Sequence, residues 1–251
     1  MKKSGLLLIL FFCFSVTQSF GQFEGKIKFN SYKIVSGHKK NDDVFTLYVT
    51  PERLLLQGNK KYKVEGTFQT DGILVRNKQK DFIFLTGGNK AMKITESGIT
   101  AFVNMFGNQA SNTANKVKSN ISYKKTGNKK KINGYSCEEF IITNKQEPDQ
   151  RSEVWMTKGL NINWGILADS WNNNMKQFAG NGFLSGNLLF QQGYFPIEFK
   201  EYKNKKLSEV IDAHVTSTKI ARSKVKIPSG VQVVGLQQYL LQRMQQMQSQ
   251  Q

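Results

Sequence analysis

Cysteine, histidine and arginine are scarce in this chain, and each scarcity removes a class of function. Cys13 lies within the first twenty residues and Cys137 stands alone in the rest. One cysteine in the body of the chain forbids an intramolecular disulfide, so the fold must rest on its core. About 230 residues is ample for that in one domain. The two histidines are His38, in the turn-like SGHKKNDD, and His214, in the strand-like DAHVTST. With a single cysteine they make no zinc site of usual composition unless distant carboxylates join them. HExxH, CxxC and Asp-rich calcium loops are all missing, so neither a metal nor a cofactor is expected. There is no GxSxG elbow for serine catalysis, and the SGN and GGN sequences read as turns rather than phosphate loops. The five arginines are few for a nucleic-acid-binding module. The chain is therefore expected to be non-enzymatic and not to bind nucleic acid. Paired carboxylates for a hydrolase stay open, because any two of the 18 acids could meet in space.

What is present starts with the leader, MKKSGLLLILFFCFSVTQSFGQ. Lys2 and Lys3 precede a short apolar run, Leu6 to Phe14, and Ser19 and Gly21 are small residues placed for cleavage before Gln22. This is the pattern of a secretory signal peptide, and its apolar run is short for a membrane span. Phe12, directly before Cys13, is too large for a lipoprotein cleavage site, so no lipid anchor is expected. The expected division is a signal peptide over 1–21, one β-rich domain over 22–233, and a Gln-rich amphipathic helix or tail over 234–251. A periplasmic or secreted location follows from the leader.

Lysine dominates the charge. The 36 basic residues, less Lys2 and Lys3, leave 34 against 18 acids, a net +16 for the mature chain. The densest run is Lys116 to Lys131. Such a surface suits an anionic membrane, although lysines along strand edges also block unwanted edge pairing.

Most of the chain reads as strands. Gln22 to Ile34 and Val44 to Thr50 come first, and a further strand begins at Arg53. Glycine-containing turn signals at Gly58, Asp71 and Gly87 separate short apolar runs, the pattern of an antiparallel meander. The period then changes: Ile99, Phe102, Val103 and Phe106 fall on one helical stripe, ended by Gly107. Strands resume through VKSNISYKK, KKKINGYSCEEFIITNK and RSEVWMTK. A second helix is expected after a cap at Asp169 or Ser170, with Trp171, Met175 and Phe178 on one face. Phe195, Ile197 and Phe199 alternate as a strand, Leu207 to Ile220 reads as one long strand, and KVKIPSG as a short last one. In the tail, Leu236, Leu240, Met244 and Met247 share one helical face. The fold expected is mainly β with packed helices: a curled antiparallel sheet with two or three helices on its concave face, which often encloses an apolar cavity.

Cys137 is the one nucleophile to weigh. A reactive thiolate needs a positive neighbour, a helix N-terminus or a histidine base. Its sequence neighbours are Glu138 and Glu139, which oppose ionisation, so a buried structural cysteine is expected.

Three motifs in order carry a resemblance. KKINGYSCEEFIIT, then SEVWMTKGL, then KVKIPSGVQ resemble the family known as domain of unknown function 4412, and FEGKIKF resembles that family's first strand. The matching positions are Gly134, Tyr135, Cys137, Trp155, Pro228 and Gly230. The resemblance implies a secreted or periplasmic protein of unknown function, similar in build to LolA/LolB-like lipoprotein carriers, with a half-open antiparallel barrel closed by helices. It assigns those motif residues a structural role. Candidate residues lining an apolar ligand site are Ile99, Phe102, Val103, Phe106, Phe195, Ile197 and Phe199. A binding or carrier protein for an apolar or lipid-like ligand is the function expected first. A protein-interaction or envelope-associated module and the paired-carboxylate hydrolase are the competing readings.

Overall fold

The computed structural model describes residues 21–64, 68–98, 121–145, 147–173, 190 and 192–248. Its strands are β1 (Gly25–Val35), β2 (His38–Val49), β3 (Arg53–Val64), β4 (Phe68–Arg76), β5 (Asp81–Leu85) and β6 (Lys90–Thr95), then β7 (Ile121–Ile132), β8 (Tyr135–Asn144), β9 (Gln150–Thr157), β10 (Phe195–Lys203), β11 (Lys206–Ser217) and β12 (Gln232–Gly235). Helices α1 (Ile166–Asn173) and α2 (Leu236–Gln248) accompany them.

All twelve strands join one sheet in the order β12-β6-β5-β4-β3-β2-β1-β11-β10-β9-β8-β7. Two up-and-down meanders, β1 to β6 and β7 to β11, are thus joined where β1 pairs antiparallel with β11, from Gly25 opposite Ser217 to Lys33 opposite Glu209. The parallel pair is β12 on β6. The sheet curls without closing: β7 and β12 lie at its two ends. The fold is mainly β, as the meander signals predict.

Most of the larger apolar cluster lies on one face, the inner one; Cys137 and Trp155 join it from the other face of β8 and β9. On β1 the cluster takes Ile27 and Phe29, while Lys26 and Lys28 alternate outward. Register carries the same face across Leu47, Leu56, Ile73, Phe84 and Met92, one residue from each strand β2 to β6. Phe23, Leu160, Ile162, Trp164, Ile166, Leu167, Leu236 and Tyr239 join this cluster from outside the strands.

The outer face of β3 to β6 is also covered. Leu55, Leu74, Ile83 and Ala91 form a second cluster with Ile220 and Val225. Those last two belong to a strap, residues 218–231, that leads from β11 to β12. Its backbone is pinned where the Ile220 amide donates to Glu24 Oε1 at 3.0 Å and Arg53 Nη1 donates to the Val225 carbonyl at 2.9 Å. Lys224 donates to Gln57 at 3.0 Å and lies 4.7 Å over the Tyr48 ring. Cover on both faces explains why β5, Asp-Phe-Ile-Phe-Leu, is a continuous apolar run instead of an alternating one.

Several sequence expectations are corrected. Gly58 and Asp71–Gly72 do not mark turns. They lie within β3 and β4, where the register slips between Gln57 and Tyr62. At Gly72 a side chain would stand 2.7 Å from the Leu56 carbonyl oxygen, so the glycine serves a close backbone approach at an irregular pairing. His38 starts β2 rather than sitting in a turn; the turn is Ser36–Gly37, both with positive φ. The strand predicted as Leu207 to Ile220 stops at Ser217, because Ile220 belongs to the strap. KVKIPSG is not a strand: Pro228 and Gly230 form a turn, closed by the Val231 amide to the Pro228 carbonyl at 3.3 Å, and the strand follows it as β12. Helix α1 begins at Ile166, ahead of the predicted caps, with Asp169 in its first turn. The Ile166 amide is met at 3.3 Å by Asn77 Oδ1 from the β4–β5 turn, a partner 89 positions away. The predicted helix stripe Ile99, Phe102, Val103 and Phe106 lies outside the described residues, as do Met175 and Phe178.

Candidate functional site

The inner face carries a file of aromatic rings. Phe45 stacks on Phe29 with centroids 4.6 Å apart, Phe29 meets Phe195 at 6.0 Å, Phe195 stacks on Trp164 at 6.3 Å, and Trp164 meets Phe190 edge-on at 5.4 Å. The register permits it. Phe29 lies opposite Ala213 on β11, and the small methyl there leaves room for the ring from β10 to reach across. Three predicted lining residues, Phe195, Ile197 and Phe199, sit in this region and are buried within the main cluster. They form its packing around β10. Half-buried apolar groups lie farther along: Phe45, Leu56 and Ile73 on the adjacent strands β2, β3 and β4.

A polar cluster occupies the same face toward the β7 end. The Tyr194 hydroxyl donates to Glu138 Oε2 at 2.5 Å, and its ring packs edge-on against Phe140 at 4.9 Å. Lys125 Nζ is 2.8 Å from Glu138 Oε2, and Lys129 Nζ is 3.8 Å from Oε1. Lys158 Nζ stands 4.7 Å over the Tyr194 ring. The hydrogen bond from Lys125 chiefly, with that from Tyr194, holds the Glu138 carboxyl below its ordinary range. Burial, together with the adjacent carboxylate, pushes the Tyr194 phenol up. Sequence reading gave Glu138 only a repulsive role beside Cys137 and passed over Tyr194. The available signal was a lone tyrosine just before the alternating Phe195 set.

The outer face holds two of the family-motif residues, Cys137 and Trp155. Trp155 lies between Glu139 on β8 and Glu198 on β10. Lys130 places its ammonium 4.0 Å over the Trp155 ring and bonds Glu198 Oε1 at 2.8 Å, and Lys200 reaches the same oxygen at 3.1 Å. Glu139 accepts instead from Thr126 and Asn128 at the β7 bulge, at 2.8 and 2.7 Å. Cys137 is fully buried opposite Lys130. Burial raises its thiol, and the carboxylate that adds to the rise is Glu198 rather than either sequence neighbour. Gly134 and Asn133, both with positive φ, make the β7–β8 hairpin turn, and Asn133 donates to the Ala213 carbonyl at 3.1 Å. Among the described residues no three His, Cys, Asp or Glu side chains gather as a metal site.

Residues 33–231, which hold all of these motif residues, match the family described as Domain of unknown function (DUF4412). The chain belongs to that family. As a DUF4412 member it has a family description that assigns no activity. No curated protein matches the chain. Among solved structures, PNGF-II in a P21 space group is 14% identical over 84% of this chain, with a TM-score of 0.44, and the chain spans 31% of that protein's length. The Pseudomonas aeruginosa MucA/MucB complex is 9% identical over 86% of this chain and 59% of the other, with a TM-score of 0.39. An uncharacterized conserved protein from Thermus thermophilus is 9% identical over 84% and 91% of the two chains, also at a TM-score of 0.39.

Proposed function

We propose that this DUF4412 protein is a secreted or periplasmic binding protein, acting without catalytic chemistry, that holds an apolar or lipid-like ligand on the inner face of its sheet. The observation that carries the reading is the row Phe45, Leu56 and Ile73: large apolar side chains on three neighbouring strands, half buried beside a fully packed core. Apolar side chains left partly in water on a curved inner surface gain free energy when an apolar ligand covers them.

Two features of the sequence support it. The connection from β6, next to the β12 end of the sheet, to β7 at the other end carries the apolar stripe Ile99, Phe102, Val103 and Phe106 at helical spacing. The leader Met1 to Gly21 directs export, and the lysine-rich exterior suits an anionic membrane surface. The absence of catalysis is supported by Cys137, buried with its thiol raised, and by Glu138 and Glu198, both engaged by lysines.

Native mass spectrometry of the protein purified after export, with organic extraction and titration of acyl probes, tests the reading. A co-purifying lipid or saturable binding of acyl probes is expected. Ligand-free protein that binds no acyl probe overturns it.

A further inference from the structure

We infer that Lys125, Lys129 and Lys158, gathered around Glu138 and Tyr194 on the inner face, bind the anionic head of an amphiphilic ligand. The inference rests on the binding-protein reading above and names the ligand's charged end.

The charge count is the first ground. Two ammonium groups meet one carboxylate here, Lys125 at 2.8 Å and Lys129 at 3.8 Å, and a third, Lys158, lies over the ring of the tyrosine that bonds that carboxylate. One cation balances one carboxylate elsewhere among the described residues, as where Arg76 pairs with Asp81 or Lys203 with Glu201. Two positive charges are therefore in surplus within one small patch. Among the described residues Lys158 has no carboxylate in ion-pair range.

The second ground is what lies beside the patch. Tyr123 stands opposite Ile142 and Lys125 opposite Phe140, so an apolar pair and a cationic pair sit in succession on one face at the sheet's end. Residues two apart on a strand are about 7 Å apart on the same face, near the step from a headgroup to the first methylenes of an acyl chain. Tyr123 is 41% exposed and Ile142 only partly covered, which leaves apolar surface next to the surplus charge. Asp42 and Glu198 also meet two lysines each. Those groups differ: Asp42 lies among exposed, charged residues of β2, and at Glu198 the neighbouring Trp155 ring is already covered by Lys130.

The third ground is that the cluster is held in place before any ligand arrives. Tyr194 is buried against Phe140, and its hydroxyl fixes Glu138, which in turn orients Lys125. Lysines arranged in advance bind an anion with less ordering cost than free surface chains.

The test compares decanoate with decanol on the full exported protein by isothermal titration, with inorganic phosphate as competitor. Decanoate is expected to bind about tenfold more tightly, the product of three partly screened charge contacts. The triple variant Lys125→Gln, Lys129→Gln, Lys158→Gln should lose that preference and keep its affinity for decanol. The double variant Lys33→Gln, Lys60→Gln should keep both. If the triple variant folds poorly, Lys158→Gln alone, at a lysine whose ammonium lies over the Tyr194 ring, should lower decanoate affinity two- to threefold at unchanged melting temperature. Equal affinity of the two probes for the unmodified protein, or a preference that survives the triple variant, overturns the headgroup site and leaves the binding-protein reading standing. Displacement of decanoate by millimolar phosphate at unchanged decanol binding assigns the site to a free anion instead. Failure of both probes to bind overturns the inference and the reading beneath it together.

Discussion

Lys130 on β7 reaches over β8 to lie 4.0 Å above the Trp155 ring of β9 while its ammonium bonds Glu198 of β10 at 2.8 Å. One side chain therefore ties four neighbouring strands near the sheet's end, using the cation–π contact and the ion pair together. Lys130→Ala should lower stability by about 1 kcal/mol, because the lysine is partly exposed and its ion pair is screened. Lys130→Arg should retain most of it. Urea denaturation at neutral pH measures both. An alanine variant with an unchanged midpoint would remove the bridge from the account.

Acid should weaken the same region. The hydrogen bond from Lys125 holds the Glu138 carboxyl low. At Glu198 burial pushes upward, but the bonds from Lys130 and Lys200 outweigh it and the carboxyl is again low. A carboxyl lowered by folding stabilises the native state above its unfolded value, about 4.3 for glutamate, and the contribution disappears as pH falls through the folded value. The urea midpoint should therefore drop as pH falls below about 4.5. The Glu138→Gln, Glu198→Gln double variant should be less stable at pH 7 and lose less between pH 5 and pH 3. Parallel pH profiles for the two proteins would contradict this assignment.

Cys137 should behave as a packed residue. Its thiol is fully buried and raised by that burial. Ellman's reagent should label it slowly in the native protein and rapidly in urea. Cys137→Ser places a hydroxyl in an apolar site and should cost about 1–3 kcal/mol. Ligand binding in the folded fraction should be unchanged; its loss at constant melting temperature would make the cysteine functional.

The strap should be a load-sharing part of the fold. Val225 is fully buried against Leu55, Leu74 and Ile83. Val225→Ala should cost about 2 kcal/mol, the value of the buried methyl groups plus the space they leave. Arg53→Met, which removes the donor to the Val225 carbonyl, should cost less together with Val225→Ala than the two single changes added, since both act on one contact. Additive losses in urea titrations would place the two residues in independent contacts.

Gly134 should resist substitution. It has φ of 88° in the turn between β7 and β8. Gly134→Ala should cost about 1 kcal/mol or more, through the left-handed backbone that alanine adopts poorly. Thermal melting in parallel with Gly235→Ala, a glycine with no close neighbour and no positive φ, separates this from a general glycine effect.

The order of elements could be read from the residues because it depends on local signals. Alternation in β1, β2 and β10, and Asn133–Gly134 between two strands, fix strand positions through side-chain period and turn chemistry alone. Family membership was equally readable, since the motifs that carry Gly134, Tyr135, Cys137, Trp155 and Pro228 resemble that family and its model matches residues 33–231. The failures share one cause. Gly58 and Gly72 signalled turns, but a glycine that bends the chain and one that lets two backbones approach look the same in sequence. Ile220 continued the β11 pattern because periodicity does not say which surface an apolar residue will cover. The N-terminus of α1 is set by Asn77, far away in the chain. The polar cluster shows the same division. Lysine excess is a property of composition, but the meeting of Lys125, Lys158, Glu138 and Tyr194 depends on the pairing of β7 with β8 and β8 with β9, and on Tyr194 packing against Phe140. Local pattern carries what one strand does by itself; which strands become neighbours, and so which charges face each other, depends on long-range pairing and burial that no short stretch encodes.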